Sequence, residues 1–388
     1  MTRNLVAAIL LHIACIAGCS KQGLIDAAMM SAPRPEPPAR AEVVVGERRF
    51  TLLAGDGHCH VTPPDAPFHV SRDVGAALGL ARAERLDFVI FTPHVRARFM
   101  ADPELRASFV DGARVLDREL RALAATDVLL VRGFEYTDHM WGHVGFAFGD
   151  ETRALEAAGD TGDPRPFFEA YVASGGVLTL NHPLVLPLDG APFHEARADM
   201  SWRAFTRPAR RLPADVGWLT AHAHTIETFN LGVSFLRDRL LRDDPEASFR
   251  ENHFLLDRQI RAQRRRLSSV AGSDSHGMHL RAVMYVLADA RSTADLRRGI
   301  LAGRTCVRGP EACVAQFRTD GPWQPVGSAL SSPRALEIEA PAGATVYVDG
   351  VRHDGASVPA RAGVCQVVRV QVGRSMSGPT YFNCPFVT

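Results

Sequence analysis

Two histidines, His58 and His60, stand two residues apart in Gly57-His58-Cys59-His60, and Asp65 follows five residues after the second. The apolar run Phe50 to Ala54 precedes them and reads as a buried strand. In an extended chain residues i and i+2 share a face, so both imidazoles point one way and Cys59 the other. Two imidazoles and a nearby carboxylate at a strand's C-terminal end are donors that suit a divalent metal. His-x-His also arises by chance, so its meaning depends on the rest of the chain.

The rest of the chain repeats the pattern. His94 follows the apolar run Leu86 to Phe91, Glu135 follows Val128 to Val131, and His182 follows Gly176 to Leu180. Asp274 and His276 follow Leu267 to Ala271, while His143 opens the run Val144 to Phe148. Singly, each has an ordinary reading: a turn aspartate in Pro63-Pro64-Asp65, a loop imidazole beside proline, a surface carboxylate, a helix cap. Together, six histidines and three carboxylates at successive strand ends have no structural purpose, and burying them without metal would leave polar groups unpaired at a cost. His139 is a candidate proton donor to a leaving group, and Glu227 and Asn230 are candidates to support the ligands from behind.

Between the apolar runs lie segments with helical spacing. Asp73 to Arg85 carries Val74, Ala77, Leu78 and Ala81, and Pro103 to Ala125 carries Leu105, Phe109, Ala113, Leu116, Leu120 and Leu123 on one stripe. Helices are also expected over 167–174, in two segments between 233 and 266, and over 293–302, and further strands over 225–230 and 283–287. Strands alternating with helices indicate parallel βαβ units, and short apolar strands fit burial on both faces. The fold class expected is α/β, with strand ends converging on one mouth as in a closed β/α barrel. His143, which begins its strand, must reach that mouth through a local antiparallel excursion.

These stretches resemble the PHP (polymerase and histidinol phosphatase) metal-dependent hydrolases over residues 50–310. The resemblance is carried by Gly57-His58-Cys59-His60 with Asp65, Phe91-Thr92-Pro93-His94, Gly133-Phe134-Glu135, Trp141-Gly142-His143, Asn181-His182-Pro183 and Gly272-Ser273-Asp274-Ser275-His276. The Glu135 and His143 pairing, with Ile226 to Asn230 and Ala302 to Thr305, looks most like the CehA/McbA-type branch. The resemblance implies a distorted seven-stranded β/α barrel with two or three divalent ions of zinc, manganese or iron. It implies one site of His58, His60, Glu135 and Asp274, a second in which Glu135 bridges to His143 and His182, and a third of Asp65, His94 and His276. Catalysis would rest on His58, His60, Glu135, Asp274 and His276. The chain departs from the family at Thr92-Pro93-His94, where Thr-Asp-His is usual, and at Val95, where an asparagine commonly follows.

Clustered divalent ions lower the pKa of water and neutralise charge developing on substrate oxygens, so no side-chain nucleophile is required. No Gly-x-Ser-x-Gly pattern competes. The first expectation is a phosphoesterase acting on a small-molecule phosphoester; the alternatives are ester, carbamate or amide hydrolysis, and a catalytically degenerate envelope binding protein suggested by Pro93. The insertion 184–221 is either a lid or an inert loop.

The ends of the chain add location. Arg3 precedes an apolar run from Leu5 to Ile16, too short for a membrane span and laid out as an export signal. Ile16-Ala17-Gly18-Cys19 resembles a bacterial lipobox, which implies a signal peptide over 1–19, lipidation at Cys19 and a membrane anchor; Ser20 after it leans towards the outer membrane, facing the periplasm. Residues 20–40 are a Pro-rich tether. In that oxidising compartment Cys306, Cys313, Cys365 and Cys384 allow three pairings, of which neighbour pairing, Cys306 with Cys313 and Cys365 with Cys384, is preferred, and Cys59 is expected to be a buried thiol. The net charge of +1 gives no nucleic-acid signature, and 43 arginines to one lysine, Lys21, read as coding bias. Residues 41–310 are expected to form the hydrolase domain and 311–388 a small β-rich module with a hairpin turn at Asp349-Gly350.

Overall fold

The computed structural model describes residues 41–67, 69–96, 99–123, 127–138, 142–159, 162–183, 214–236 and 245–386. The stretches 1–19 and 20–40 expected to be a signal and a tether, with Cys19, His139 and most of the 184–221 insertion, lie outside the described residues. Among those described, no helix is long and apolar enough to cross a membrane.

The site-bearing part is a mixed α/β structure on one large sheet whose central pairings are mostly parallel. Its strands in chain order are β1 (Ala41–Val45), β2 (Arg48–Cys59), β3 (Phe88–Phe91), β4 (His94–Arg96), β5 (Leu129–Asp138), β6 (Gly142–Ala147), β7 (Val177–Leu180), β8 (Thr225–Asn230), β9 (Ser268–Gly272), β10 (Met284–Ala288) and β11 (Thr305–Val307). The helices are α1 (Val74–Ala83), α2 (Pro103–Leu123), α3 (Glu151–Ala158), α4 (Arg165–Ala173), α5 (Ala214–His222), α6 (Leu231–Leu236), α7 (Pro245–Gln263) and α8 (Thr293–Leu301). Asp73 starts α1 by accepting from Ala76 N at 2.7 Å, and the helix buries Val74, Ala77, Leu78 and Ala81, the stripe its spacing predicts. Phe109 of α2 meets Phe99, Phe134 and Phe167 edge-on in the core beneath the sheet.

Seven strands form one continuous ladder in the order β2, β3, β5, β6, β7, β8, β9. The ends of that ladder do not join through a strand pairing among the described residues, which corrects the closed barrel expected from the sequence. The reason lies in β2. Its Thr51 to Gly55 are already paired with β10, so only its last residues are left to meet the extension of β9. They do so through an isolated Cys59–Ser275 bridge, with Asp274 N donating to His58 O at 2.8 Å and His60 N to Ser275 O at 3.0 Å. Contact between the two ends is thus concentrated at the mouth, where the histidines are. β6 runs antiparallel to both β5 and β7, the excursion expected for His143.

The C-terminal strands are β12 (Gln316–Arg318), β13 (Gln324–Pro325), β14 (Ala329–Leu330), β15 (Ala335–Glu339), β16 (Thr345–Val348), β17 (Val351–His353), β18 (Ser357–Pro359), β19 (Gln366–Val372), β20 (Ser375–Ser377) and β21 (Thr380–Phe382). β20 pairs with β11, and Phe317, Leu336 and Val370 share a core with Val43, Phe50 and Leu52 of the first two strands. Buried Arg369 of β19 donates from Nε to Asp257 of α7 at 2.6 Å and from Nη1 to Ser377 O at 3.0 Å. Disulfides join Cys306 to Cys313 and Cys365 to Cys384, and Cys59 is a buried free thiol. Asp349 and Gly350, both at positive φ, link the Val348–Val351 pair as a two-residue hairpin turn.

Candidate metal centre

The end of β2 brings His58 and His60 to the mouth side by side, with Nε2 atoms 3.2 Å apart. Gly272 makes room for them. A Cβ built there would fall 2.1 Å from His58 Cβ, so β9 can lie against the His58 backbone only without a side chain. Asp274 follows in the left-handed region at φ 52, and His182 sits at φ 29. Non-glycine residues adopt that region at a cost that surrounding structure must offset, and both belong to the cluster.

Three overlapping groups can hold a metal ion: His58, His60 and Asp274; His58, Glu135 and His182; and His60, His94 and His276, each with ligand atoms within 4.8 Å of one another. His60 Nε2 lies 3.2 Å from Asp274 Oδ1, and His58 Nε2 lies 3.4 Å from Glu135 Oε1 and 3.5 Å from Asp274 Oδ1. Tetrahedral donors bonded to zinc at about 2.0–2.1 Å are separated by about 3.3–3.4 Å. The observed separations fit that edge, and the donor set of imidazole and carboxylate suits a divalent ion.

Most rings present Nε2 because Nδ1 is engaged elsewhere. His58 Nδ1 is 3.1 Å from Glu227 Oε1, and His276 Nδ1 donates to the Asp274 carbonyl at 3.0 Å. Asp65 lies 3.2 Å from His60 Nδ1 through Oδ2 and 3.1 Å from His94 Nδ1 through Oδ1, and it also accepts from His94 N. Both its oxygens are therefore spent on orienting imidazoles. Asp65 stands in none of the three groups; the third group expected with Asp65 has His60 in its place. His143 stands in none either, its Nδ1 lying 3.2 Å from Glu135 Oε1, and His58 takes the place beside Glu135 and His182 expected for it.

Glu227 and Asn230 stand behind the ligands. Glu227 Oε2 accepts from His182 N at 2.8 Å, while Asn230 Nδ2 reaches Glu227 Oε2 and Asp274 Oδ2, each at 3.2 Å. Asn181 donates to Glu135 Oε1 at 2.8 Å, and the Pro93 carbonyl accepts from Glu135 N at 3.0 Å. The residue that departs from the family pattern thus positions Glu135 through its backbone.

The electrostatics follow from carboxylates and imidazoles buried against one another. Burial would raise Glu135 and Asp274, but the imidazoles around them hold both carboxyls well below their usual range. Burial would lower His60, yet hydrogen bonds to Asp274 and Asp65 push it up to about 9, and Asp274 and Glu135 likewise outweigh burial to hold His58 well above its usual range. His276 is pushed well down by burial and by His60. Burial pushes the Cys59 thiol up to about 12, leaving it inert. His58, His60 and His182 form the buried floor, whereas His94 with 22% of its side chain exposed, His143 with 15% and His276 with 12% open towards solvent.

Three residues were not singled out from the sequence. Asp56 accepts from His58 N and Ser273 N through Oδ1, and its place two residues before His58 was the available signal. His69 lies on the rim, its ring 4.9 Å from His94 and 4.8 Å from His276; Arg72 lies beneath. A loop imidazole and a buried arginine carry no periodic signature.

No model of a known protein family matches the chain, and no curated protein matches it. Among solved structures it is similar to a two-domain protein from Bacteroides vulgatus containing a predicted PHP-like metal-dependent phosphoesterase. That likeness has 15% identity and a TM-score of 0.41, over 87% of this chain and 95% of that one. It is also similar to PsfC from Pseudomonas syringae, at 14% identity and a TM-score of 0.36, over 61% of this chain and 82% of that one. Likenesses this distant say nothing of what the chain acts on.

Proposed function

We propose that the chain is an exported, metal-dependent hydrolase of the PHP kind and that it cleaves a small-molecule phosphoester. One observation carries the reading: three groups of imidazole and carboxylate donors overlap at a single mouth with the separations of metal ligands. Divalent ions held there would supply Lewis acidity to the substrate's oxygens and acidify water.

The chain's own residues do the positioning. His58, His60, Glu135, His182 and Asp274 make a rigid buried floor, fixed from behind by Glu227, Asn230, Asn181 and Asp65. The His58, Glu135 and His182 group and the His60, His94 and His276 group share no residue, and their His58 and His60 Nε2 atoms stand 3.2 Å apart, so cations held by both would lie close together, which suits an anionic substrate with two or more oxygens to neutralise. The open side, bounded by His94, His143 and His276, is where such a substrate enters. The remaining sequence signals complete the proposal: export through residues 1–19, a lipid anchor on Cys19 and a periplasmic face.

Purified full-length chain, kept in detergent, tests it on phosphate monoesters and diesters beside aryl esters, with and without chelator. Phosphoester turnover that chelator and His58→Ala both abolish is expected. Turnover confined to aryl esters would replace the phosphoesterase reading with the carbonyl-hydrolase one, and no metal-dependent turnover would leave an envelope binding protein. Failure of Cys19→Ala to release the chain from membranes would reject the anchor.

A further inference from the structure

Arg72 lies under the metal centre, on the side away from the rings, and is 2% exposed. Its Nε donates to the His60 carbonyl at 3.3 Å, and Nη2 to the Ser275 carbonyl at 2.9 Å. Nη1 reaches Ser275 Oγ at 3.1 Å, the His279 carbonyl at 2.9 Å and the Gly277 carbonyl. All these acceptors are neutral, and Arg72 makes no ion pair among the described residues. The backbone around it ties the same two segments: Ser71 N donates to the His276 carbonyl at 2.9 Å and Thr62 N to the Arg72 carbonyl at 2.8 Å.

A buried guanidinium beside a site for cations is electrostatically adverse to metal binding, so its charge does not explain its place. Its shape does. Only arginine offers five donors in a planar fork, and here the fork spans the end of β2 and the loop from Ser275 to His279. Those two segments carry His60 and His276, whose rings stack at 4.0 Å between centroids.

We propose that Arg72 is a positioning residue for the His60, His94 and His276 group. It holds the His60 strand end and the His276 loop at the separation at which their imidazoles converge on one ion. The inference rests on the reading of this mouth as a metal centre. The His58, Glu135 and His182 group is carried by β2, β5 and the end of β7, and none of its three residues accepts a hydrogen bond from the fork.

The test is zinc binding to the full-length chain, followed by metal content after dialysis and by competition with a chelator. Arg72→Lys keeps the charge and removes the fork. It is expected to weaken one class of zinc site by about 10–100-fold, the usual effect of losing a ligand's support, while the others stay within about twofold. The double variant Arg72→Lys/His276→Ala should bind zinc as His276→Ala alone does, whereas Arg72→Lys/His182→Ala should lose more than either single change. A merely structural role would weaken every class together, in step with the circular dichroism signal, and would overturn the inference, as would Arg72→Lys binding like the parent. If Arg72→Lys does not fold, Ser275→Ala is read instead; it removes one acceptor of the fork and no ligand, and selective weakening is again expected, with unchanged binding overturning the inference. A parent chain that binds no zinc rejects the metal-centre reading and this inference with it; zinc bound by the parent and retained in full by the variant rejects this inference alone.

Discussion

The Nε2 atoms of His58 and His60 stand 3.2 Å apart, while the Nδ1 of His58 faces Glu227 and that of His60 faces Asp65. Each carboxylate fixes one face of an imidazole so that the other is turned to the shared point. The carboxylates around them favour the protonated form of both rings, against the effect of burial.

Glu227 is accordingly expected to control His58. Glu227→Gln keeps shape and burial but weakens the hydrogen bond that orients the ring, and metal affinity should fall by about 10–100-fold with the fold unchanged. Chelator competition, read beside far-ultraviolet circular dichroism, gives the answer. Unaltered affinity would show that His58 needs no such support.

The proton and the metal compete at His60. Its pKa in the metal-free chain is pushed up to about 9 against burial by Asp274 and Asp65, from an ordinary value near 6.5. A raised histidine contributes stability that is complete below about pH 6.5 and is lost as pH rises through about 9. Metal-free protein should therefore lose this contribution between those values, while metal affinity rises over the same range by about tenfold per pH unit for each proton displaced. Melting temperatures with and without zinc from pH 6 to 9 check both signs. Affinity flat across that window would contradict the protonated site.

Gly272 is expected to tolerate no side chain. A methyl group there meets the Cβ of buried His58 at 2.1 Å and its backbone N at 2.7 Å, atoms that cannot move aside without shifting β2. Gly272→Ala should lower stability by about 1–3 kcal/mol and displace His58, so that metal binding falls with it. Chemical denaturation and zinc titration measure the two effects, and wild-type values in both would sink the packing argument.

The buried Arg369–Asp257 pair ties the C-terminal strands to α7. Arg369→Met leaves the Asp257 carboxylate buried without its partner, a change expected to cost about 3–5 kcal/mol. Replacing both, as Arg369→Met/Asp257→Leu, should recover most of that loss. Denaturation midpoints for the two variants decide it: equal losses would mean that the pair is not the link.

Much of the architecture was legible because apolar runs and helical spacing act locally. The α1 stripe, the antiparallel excursion to His143 and the Asp349-Gly350 turn all follow from residues within a few positions of one another. The ladder that stops short of closure was not legible. It depends on β10 taking one edge of β2, a pairing between residues more than two hundred positions apart, and no local pattern announces it. The join between the C-terminal strands and the rest was hidden for the same reason, since Arg369 reads as one more arginine among 43.

Residue types by themselves determined that imidazoles and carboxylates end successive strands, and that these donors suit a divalent metal. The tertiary structure decided what each atom faces. Asp65 has the chemistry of a ligand, but both its oxygens meet Nδ1 atoms, so it orients His60 and His94. Arg72 has no ligand chemistry and still fastens two ligand segments. The physical reason is that donor identity belongs to a single side chain, whereas the direction of its lone pairs is set by neighbours that folding alone brings within hydrogen-bond reach.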